Sequence, residues 1–214
     1  ETLRAIKRKN LVQGKIDHLK SMFHDRYMPT YVKVILGLPL ETYETFAQGL
    51  NTILSNRLED RFYIYLCQML ENTEMDSPES REKYQLETRN CRHTVSNRKF
   101  EWVDDDIEHE EFVIATSTMP IEDWVRAYVL GYFLTVLYNH RSAFFPFIYF
   151  KEEYGVLPVE LTEFIISSLR QRPNSFPVLN RSIGHIYRQA QLMIDGESSM
   201  SDLSEAEGLV VVPH

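Results

Sequence analysis

Two cysteines, Cys67 and Cys91, are all that this chain of 214 residues contains. Two thiols make no disulfide framework, and no CxxC spacing offers a zinc or redox pair. Glycine is scarce as well, at 8 residues, and no GxGxxG, Walker A or GxSxG string occurs. Phosphate-cradling loops and nucleophile elbows therefore have nothing to rest on. Positive charge is short: 23 Lys and Arg stand against 31 Asp and Glu, a formal net charge of -8. No Lys/Arg stripe offsets that balance, so a phosphate backbone would repel the chain and no nucleic-acid partner is expected. The longest apolar run, within 144–150, is far too short to span a bilayer. At the start, Arg4, Lys7, Arg8 and Lys9 are interleaved with polar residues, so no secretory signal is read there. A reducing, cytoplasmic compartment is the resulting expectation. The acidic run 101–111 (EWVDDDIEHEE) lacks EF-hand and HExxH spacing. Asp104, Asp106, Glu108 and His109 therefore read as a solvated acidic face, not a metal site.

What is present is ordinary for a globular chain: 43% hydrophobic and 25% charged residues. That suffices for one core with a helical appendage. The opening ETLRAIKRKN reads as the middle of a helix, with Leu3 and Ile6 on one face and basic residues in the last turn. A chain that opens inside a helix is expected to be a segment of something longer. Ile16, Leu19, Phe23 and Tyr27 predict a helix over 13–27, which Pro29 blocks. Segment 30–36 (TYVKVIL) is β-branched, aromatic and nearly continuous in apolarity, as a strand buried on both faces would be. Gly37 and Pro39 end it. Tyr43, Phe46, Ala47, Leu50, Ile53 and Leu54 then form a helical stripe, with Thr42 as N-cap. A second strand follows at 61–67 (RFYIYLC). Strand, helix, strand makes a βαβ unit with parallel strands and a right-handed crossover.

The fold class is accordingly α/β, followed by a mostly α-helical C-terminal region. Residues 73–117 read as an irregular connection with short extended pieces at 98–103 and 112–115. From Met119 the pattern is helical: Ile121, Trp124, Val125, Tyr128, Val129, Tyr132, Phe133, Val136 and Leu137 make a wide apolar face. Further helices are predicted at 140–152, 158–171 and 178–194. The chain divides into 1–72, 73–117, 118–194 and a Ser- and acid-rich tail at 195–214.

The string KVILGLPLETYETFAQGL at 33–50 resembles the fifth strand, loop and helix of the radical-SAM partial barrel, in its cobalamin-binding branch. ETLRAIKRKN at 1–10 is similar to the helix after the fourth strand. YIYLCQMLENTEMDSPESREKYQLET at 63–88 is similar to the sixth strand and its exit, and ATSTMPIEDWVRAY at 115–128 to the C-terminal region. The resemblance implies a partial TIM-barrel-like βαβ portion over 1–72. In the longer protein it implies SAM, a 4Fe–4S cluster and cobalamin as cofactors, and reductive SAM cleavage followed by hydrogen abstraction or methyl transfer to an unnamed substrate.

Two positions depart from the family pattern: Leu40 stands where glycine is usual and Glu71 where proline is common. The family's CxxxCxxC motif does not occur here, so this chain alone is expected to be inactive, with no catalytic residue, metal ligand or cofactor of its own. By resemblance Val34, Ile35, Gly37, Leu38 and Pro39 lie near the adenine of SAM, with Tyr65 or Cys67 on the neighbouring strand end. Taken singly, each such apolar side chain is more often plain core. Cys67 reads better as a buried strand residue than as a reactive thiol. Cys91 sits among Arg89, Arg92 and His93, cations that lower a thiol pKa, but reads best as an ordinary loop cysteine. The aromatic cluster 144–150 reads as helix packing before substrate channel or partner surface. A barrel with missing strands leaves an open edge. Self-association, strand exchange, or cover by the C-terminal helices or 98–115 is expected there. The alternative function is a non-catalytic helical interaction or regulatory module derived from the same family.

Overall fold

Alternation, not continuous burial, marks the first two strands. The computed structural model describes residues 2, 6, 13–26, 28, 30–55, 61–92 and 109–197. A helix, α1 (Gln13–His24), precedes β1 (Tyr31–Leu36), α2 (Tyr43–Ser55) and β2 (Arg61–Leu66). β1 and β2 pair in parallel, from Tyr31 opposite Arg61 to Leu36 opposite Leu66. Val34, Leu36, Phe62 and Ile64 turn to one side and join the main core. Tyr31, Lys33, Tyr63 and Tyr65 turn to the other, where Tyr31 is 61% and Tyr65 46% exposed. The expectation of strands buried on both faces is thus corrected. The polar ends of Lys33 and the tyrosines let that face meet water while their stems and rings cover the sheet.

α2 starts as expected at Thr42. The Thr42 hydroxyl accepts the Thr45 N–H at 3.2 Å, and the Thr45 hydroxyl accepts the Thr42 N–H at 2.9 Å. This reciprocal cap satisfies donors that the first turn leaves open. Tyr43, Phe46, Ala47, Leu50 and Leu54 are the buried stripe.

After β2 the chain bends at Cys67 into β3 (Gln68–Met69), a 3-10 turn (Glu74–Asp76), α3 (Pro78–Tyr84) and β4 (Glu87–Arg92). β5 (His109–Ala115) pairs antiparallel with both β3 and β4. The expectation of an irregular 73–117 is therefore corrected over 74–92; the extended piece expected at 112–115 lies within β5, and that at 98–103 lies outside the described residues. α3 forms because Ser77 caps it, accepting the Ser80 N–H at 3.2 Å, and Pro78 suits its first turn. β4 is polar in sequence and exists through its pairing with β5. Cys91 lies in β4 and is fully buried, not in a loop. Burial pushes its thiol up, against the neighbouring Arg89.

Cys67 joins the two sheets. Its N–H donates to Leu36 O at 2.8 Å, and its carbonyl accepts Val113 N–H at 2.9 Å. The outer edge of β2 is closed further back by α4 (Ile121–Tyr138) and the residue after it. The Asn139 carboxamide accepts the Phe62 N–H at 3.2 Å and donates to Phe62 O, and the Tyr132 hydroxyl donates to Ile64 O at 3.3 Å. A side-chain amide here does what a neighbouring strand would do. Among the described residues no strand pairs with the outer edge of β1.

α4 carries the largest buried side chains, among them Trp124, Tyr128, Phe133, Leu130 and Leu134. Full burial of each stabilises by about 1.5–3 kcal/mol. α5 (Phe144–Tyr154), α6 (Pro158–Gln171) and α7 (Pro177–Asp195) follow, close to the expected spans. Arg89 donates to Ile194 O at 2.9 Å and so caps the last turn of α7 against β4. In α5 only Phe147 is buried, while Phe145 is 76% exposed. Packing accounts for part of that aromatic cluster. No helix among the described residues is long and apolar enough to cross a membrane.

Among the described residues, one of the buried polar groups without a hydrogen-bond partner is an amide in α7. Gln189 of α7 is 5% exposed, and neither end of its amide is hydrogen-bonded. Such an amide costs about 1–3 kcal/mol in lost hydration. Gln189→Leu is therefore expected to raise stability by about 1 kcal/mol, read by urea unfolding. A loss of stability would instead show that the amide is satisfied by bound water.

Candidate functional site

Parallel strands in register end together, and the loops after them meet. In open α/β sheets that end is where ligands bind. Here the turn 37–42 after β1, the bend 67–76 after β2 and the loop 116–120 after β5 converge. A cleft of about 520 Å³ opens between the first two. Ile35, Leu38, Pro39, Tyr65 and Cys67 line it. Val34, also expected near the ligand, packs on the opposite face against the helical core. Gly37 shapes the turn without lining the cleft. Lys33, Gln68, Leu70, Met75 and Tyr84 complete much of the wall, and the sequence reading named none of them. Lys33 was legible, since a charge two residues before Ile35 in a strand shares its face.

The turn is built from unusual backbone. Gly37 has φ +96°, and a Cβ there would lie 3.1 Å from Val113 O and 3.5 Å from Trp124 Nε1. Only glycine adopts that conformation without penalty. Leu40, which stands where glycine is usual, adopts a left-handed conformation, with φ +63°. A leucine held there costs about 1–2 kcal/mol, while glycine's extra freedom in the unfolded chain costs about 0.5–1 kcal/mol. Leu40 is 37% exposed, so little packing is at stake. Leu40→Gly is expected to stabilise the protein by about 0.5–1 kcal/mol in thermal unfolding. A lower melting temperature would show that the leucine side chain holds the turn.

Glu41 closes the turn from within. Burial pushes its carboxyl up to about 7, and the facing N–H groups of Gly37 and Leu38 pull the other way. Its Oε2 is buried without a hydrogen-bond partner. The Cys67 thiol is pushed up to about 12, by burial first and then by the nearby Glu41. It is 3% exposed and protonated, which fits a wall residue and not a nucleophile.

The loop after β5 locks onto this turn. The Thr118 hydroxyl donates to Glu41 O at 2.7 Å, and the Thr116 hydroxyl accepts the N–H groups of Thr118 and Met119 at 3.3 and 3.1 Å. Opposite, Arg81 holds the 3-10 turn and α3 as the second wall. Its guanidinium reaches Asp76 Oδ1 at 2.7 Å and Glu111 Oε2 at 2.8 Å. Those bonds hold both carboxyls below the ordinary range. Glu111, within the run read as a solvated acidic face, is thus paired and structural. Among the described residues no three His, Cys, Asp or Glu gather as a metal site.

No protein-family model matches the chain. Two curated proteins are similar to it. One is the cobalamin-dependent radical SAM methyltransferase TokK of Streptomyces tokunonensis, 29% identical over 156 residues, covering 73% of this chain and 23% of that protein. The other is the 2-(S-pantetheinyl)-carbapenam-3-carboxylate methyltransferase of Streptantibioticus cattleyicolor, 28% identical over 144 residues, covering 67% and 21%. The matched region thus spans less than a quarter of either curated relative. Over about 70% of its length the chain is thus similar to a cobalamin-dependent radical SAM methyltransferase and to a carbapenam methyltransferase.

Proposed function

We propose that the chain forms one wall of the partial barrel of a cobalamin-dependent radical SAM methyltransferase, with the cleft at the ends of β1 and β2 taking the adenine end of SAM. The observation that carries this reading is the convergence of Ile35, Leu38, Pro39, Tyr65 and Cys67 around one cleft of about 520 Å³. That size lies within the range of small-molecule sites. Ile35 and Leu38 would cover the adenine faces, Gly37 lets the backbone come close, and Glu41 holds the turn in place. Residues 1–72 would be the last part of the barrel, 118–194 a helical wall over the substrate, and 195–214 a tail.

The family's iron–sulfur cluster does not fit the residues present. Three thiolates hold such a cluster, with SAM on the fourth iron. This chain has two cysteines; Cys67 sits in the cleft wall, and Cys91 sits in the main core, 3.6 Å from Met193 O. No step through the cluster is derived from this chain, and no residue is assigned to cobalamin. What the chain contributes is binding and orientation of one end of SAM.

Alone, it is expected to hold that end weakly. A few hydrogen bonds at about 0.5–1.5 kcal/mol each and partial burial of one ring give roughly 3–5 kcal/mol. Association costs about 4–15 kcal/mol. No saturable binding of SAM at micromolar concentration is expected by isothermal titration. Millimolar 5′-deoxyadenosine, followed by 15N–1H correlation spectra, is expected to shift Ile35 to Leu38 and Tyr65 to Gln68. Shifts elsewhere, or none, would count against the adenine site. The second reading, a helical interaction module, is favoured by α5, where Phe145, Tyr149 and Tyr154 are 76%, 54% and 64% exposed. Such a module has no use for adenine, so the same titration separates the two.

A further inference from the structure

Lys33 stands two residues before Ile35 on the same uncovered face of β1, and it lines the cleft. Its Nζ lies 4.8 Å from the Tyr65 ring centre and 6.0 Å from that of Tyr31. No carboxylate among the described residues forms a salt bridge with it. Several arginines do have such partners: Arg81 with Asp76 and Glu111, Arg89 with Glu87, and Arg126 with Asp123. Aromatic faces steady an ammonium by their quadrupoles, yet do not take up its three N–H donors as a carboxylate would. Beyond the residues assigned to the adenine, the lining at Leu70 and Met75 is apolar. A cation held in position beside an apolar trough suits a ligand with an anionic end and an apolar body.

We propose that Lys33 is the anchor for a single carboxylate of a ligand whose apolar body lies along the cleft. This rests on the cleft being a ligand site. The charge count favours a monoanion: among the described residues the lining holds one cation, Lys33. A polyphosphate would find a single lysine there, a point charge without the bidentate fork of arginine. Two residues along a strand separate Lys33 from Ile35 by roughly 7 Å. A carboxylate held by Lys33 would therefore lie beside the adenine-binding residues, and Lys33 would select for the ligand that carries it.

The test uses this chain and a matched pair of probes, hexanoate and hexanamide, in 15N–1H titrations. Hexanoate is expected to bind about tenfold or more tightly, because a charge-assisted hydrogen bond replaces a neutral one. Its shifts are expected at Lys33, Ile35 and Tyr65. Lys33→Met is expected to abolish the preference without changing the melting temperature, and Lys33→Arg to retain most of it. Lys83 also stands over a tyrosine ring, at 4.9 Å from that of Tyr84, but does not line the cleft. Lys83→Met is expected to leave the preference intact. Equal binding of the two probes, binding of neither, or a preference that survives Lys33→Met would overturn the proposal. Tighter binding of pyrophosphate than of hexanoate would overturn the single-carboxylate assignment. None of these readouts involves adenine, so failure here is distinct from failure of the 5′-deoxyadenosine titration.

Discussion

Gly37→Ala is expected to destabilise the protein by about 2–4 kcal/mol. A left-handed backbone costs an alanine about 1–2 kcal/mol. The new methyl group also meets the Val113 carbonyl at 3.1 Å, with Cys67 Cβ and Trp124 Nε1 at 3.5 Å behind it. The Val113 oxygen belongs to β5, whose neighbouring peptide bonds to Cys67, so it has little room to yield. Forcing an overpacked site apart adds roughly 1–3 kcal/mol. For a chain of this size the melting temperature is expected to fall by roughly 5–10 °C. Gly49→Ala is the control. Gly49 lies in α2 with nothing within 4 Å of an added Cβ. Alanine there is expected to stabilise by about 0.5–1 kcal/mol through helix propensity. If the two substitutions behave alike, the turn after β1 is not under the constraint described.

Glu41→Gln is expected to change how stability depends on pH. The carboxyl titrates near 4.5 when exposed and is pushed up to about 7 in the fold, chiefly by burial. The native state therefore binds the proton more tightly than the unfolded chain does. Stability from this group is fully present below about pH 4.5, declines as pH rises between the two values, and is lost above about 7. The shift corresponds to roughly 3 kcal/mol over that window. Glutamine mimics the protonated acid and does not titrate. Wild type and variant are expected to be nearly equal at pH 4.5. At pH 8 the variant is expected to be more stable by roughly 3 kcal/mol in urea unfolding. Taking the difference between the two proteins removes the contribution of other titrating groups. A pH-independent gap would show that Glu41 is ionised throughout, held by the Gly37 and Leu38 N–H groups.

The parallel βαβ unit was legible because its signals are local and agree. TYVKVIL and RFYIYLC favour strands, and the Phe46, Leu50, Leu54 stripe between them has helical spacing. The helices from 121 to 195 were legible for the same reason. α3 and β4 were not. PESREKY at 78–84 has no apolar period, and its helix rests on the Ser77 cap and the Arg81 ion pairs. ETRNCR at 87–92 is a strand only because β5 lies beside it. Cys91 looked like a loop thiol among cations, yet it points into the core that α7 closes. At the cleft, side chains on β1 and its turn could be read from alternation. The second wall could not, because Met75 reaches it from the 3-10 turn and Tyr84 from α3. Leu40 shows the limit differently: a backbone conformation unusual for leucine is imposed by the surrounding chain and leaves no mark in the sequence.

Asn139 gives the parallel sheet a direction of growth. Its amide occupies Phe62, the Tyr132 hydroxyl occupies Ile64 O, and β5 takes over beyond Cys67. A recruited strand would have to displace these groups on that flank. Among the described residues, the edge of this sheet left open to an added strand is Tyr31–Leu36. The sheet is thus a one-ended template. Assembly that uses it stops after one addition per molecule unless the incoming strand brings a free edge of its own.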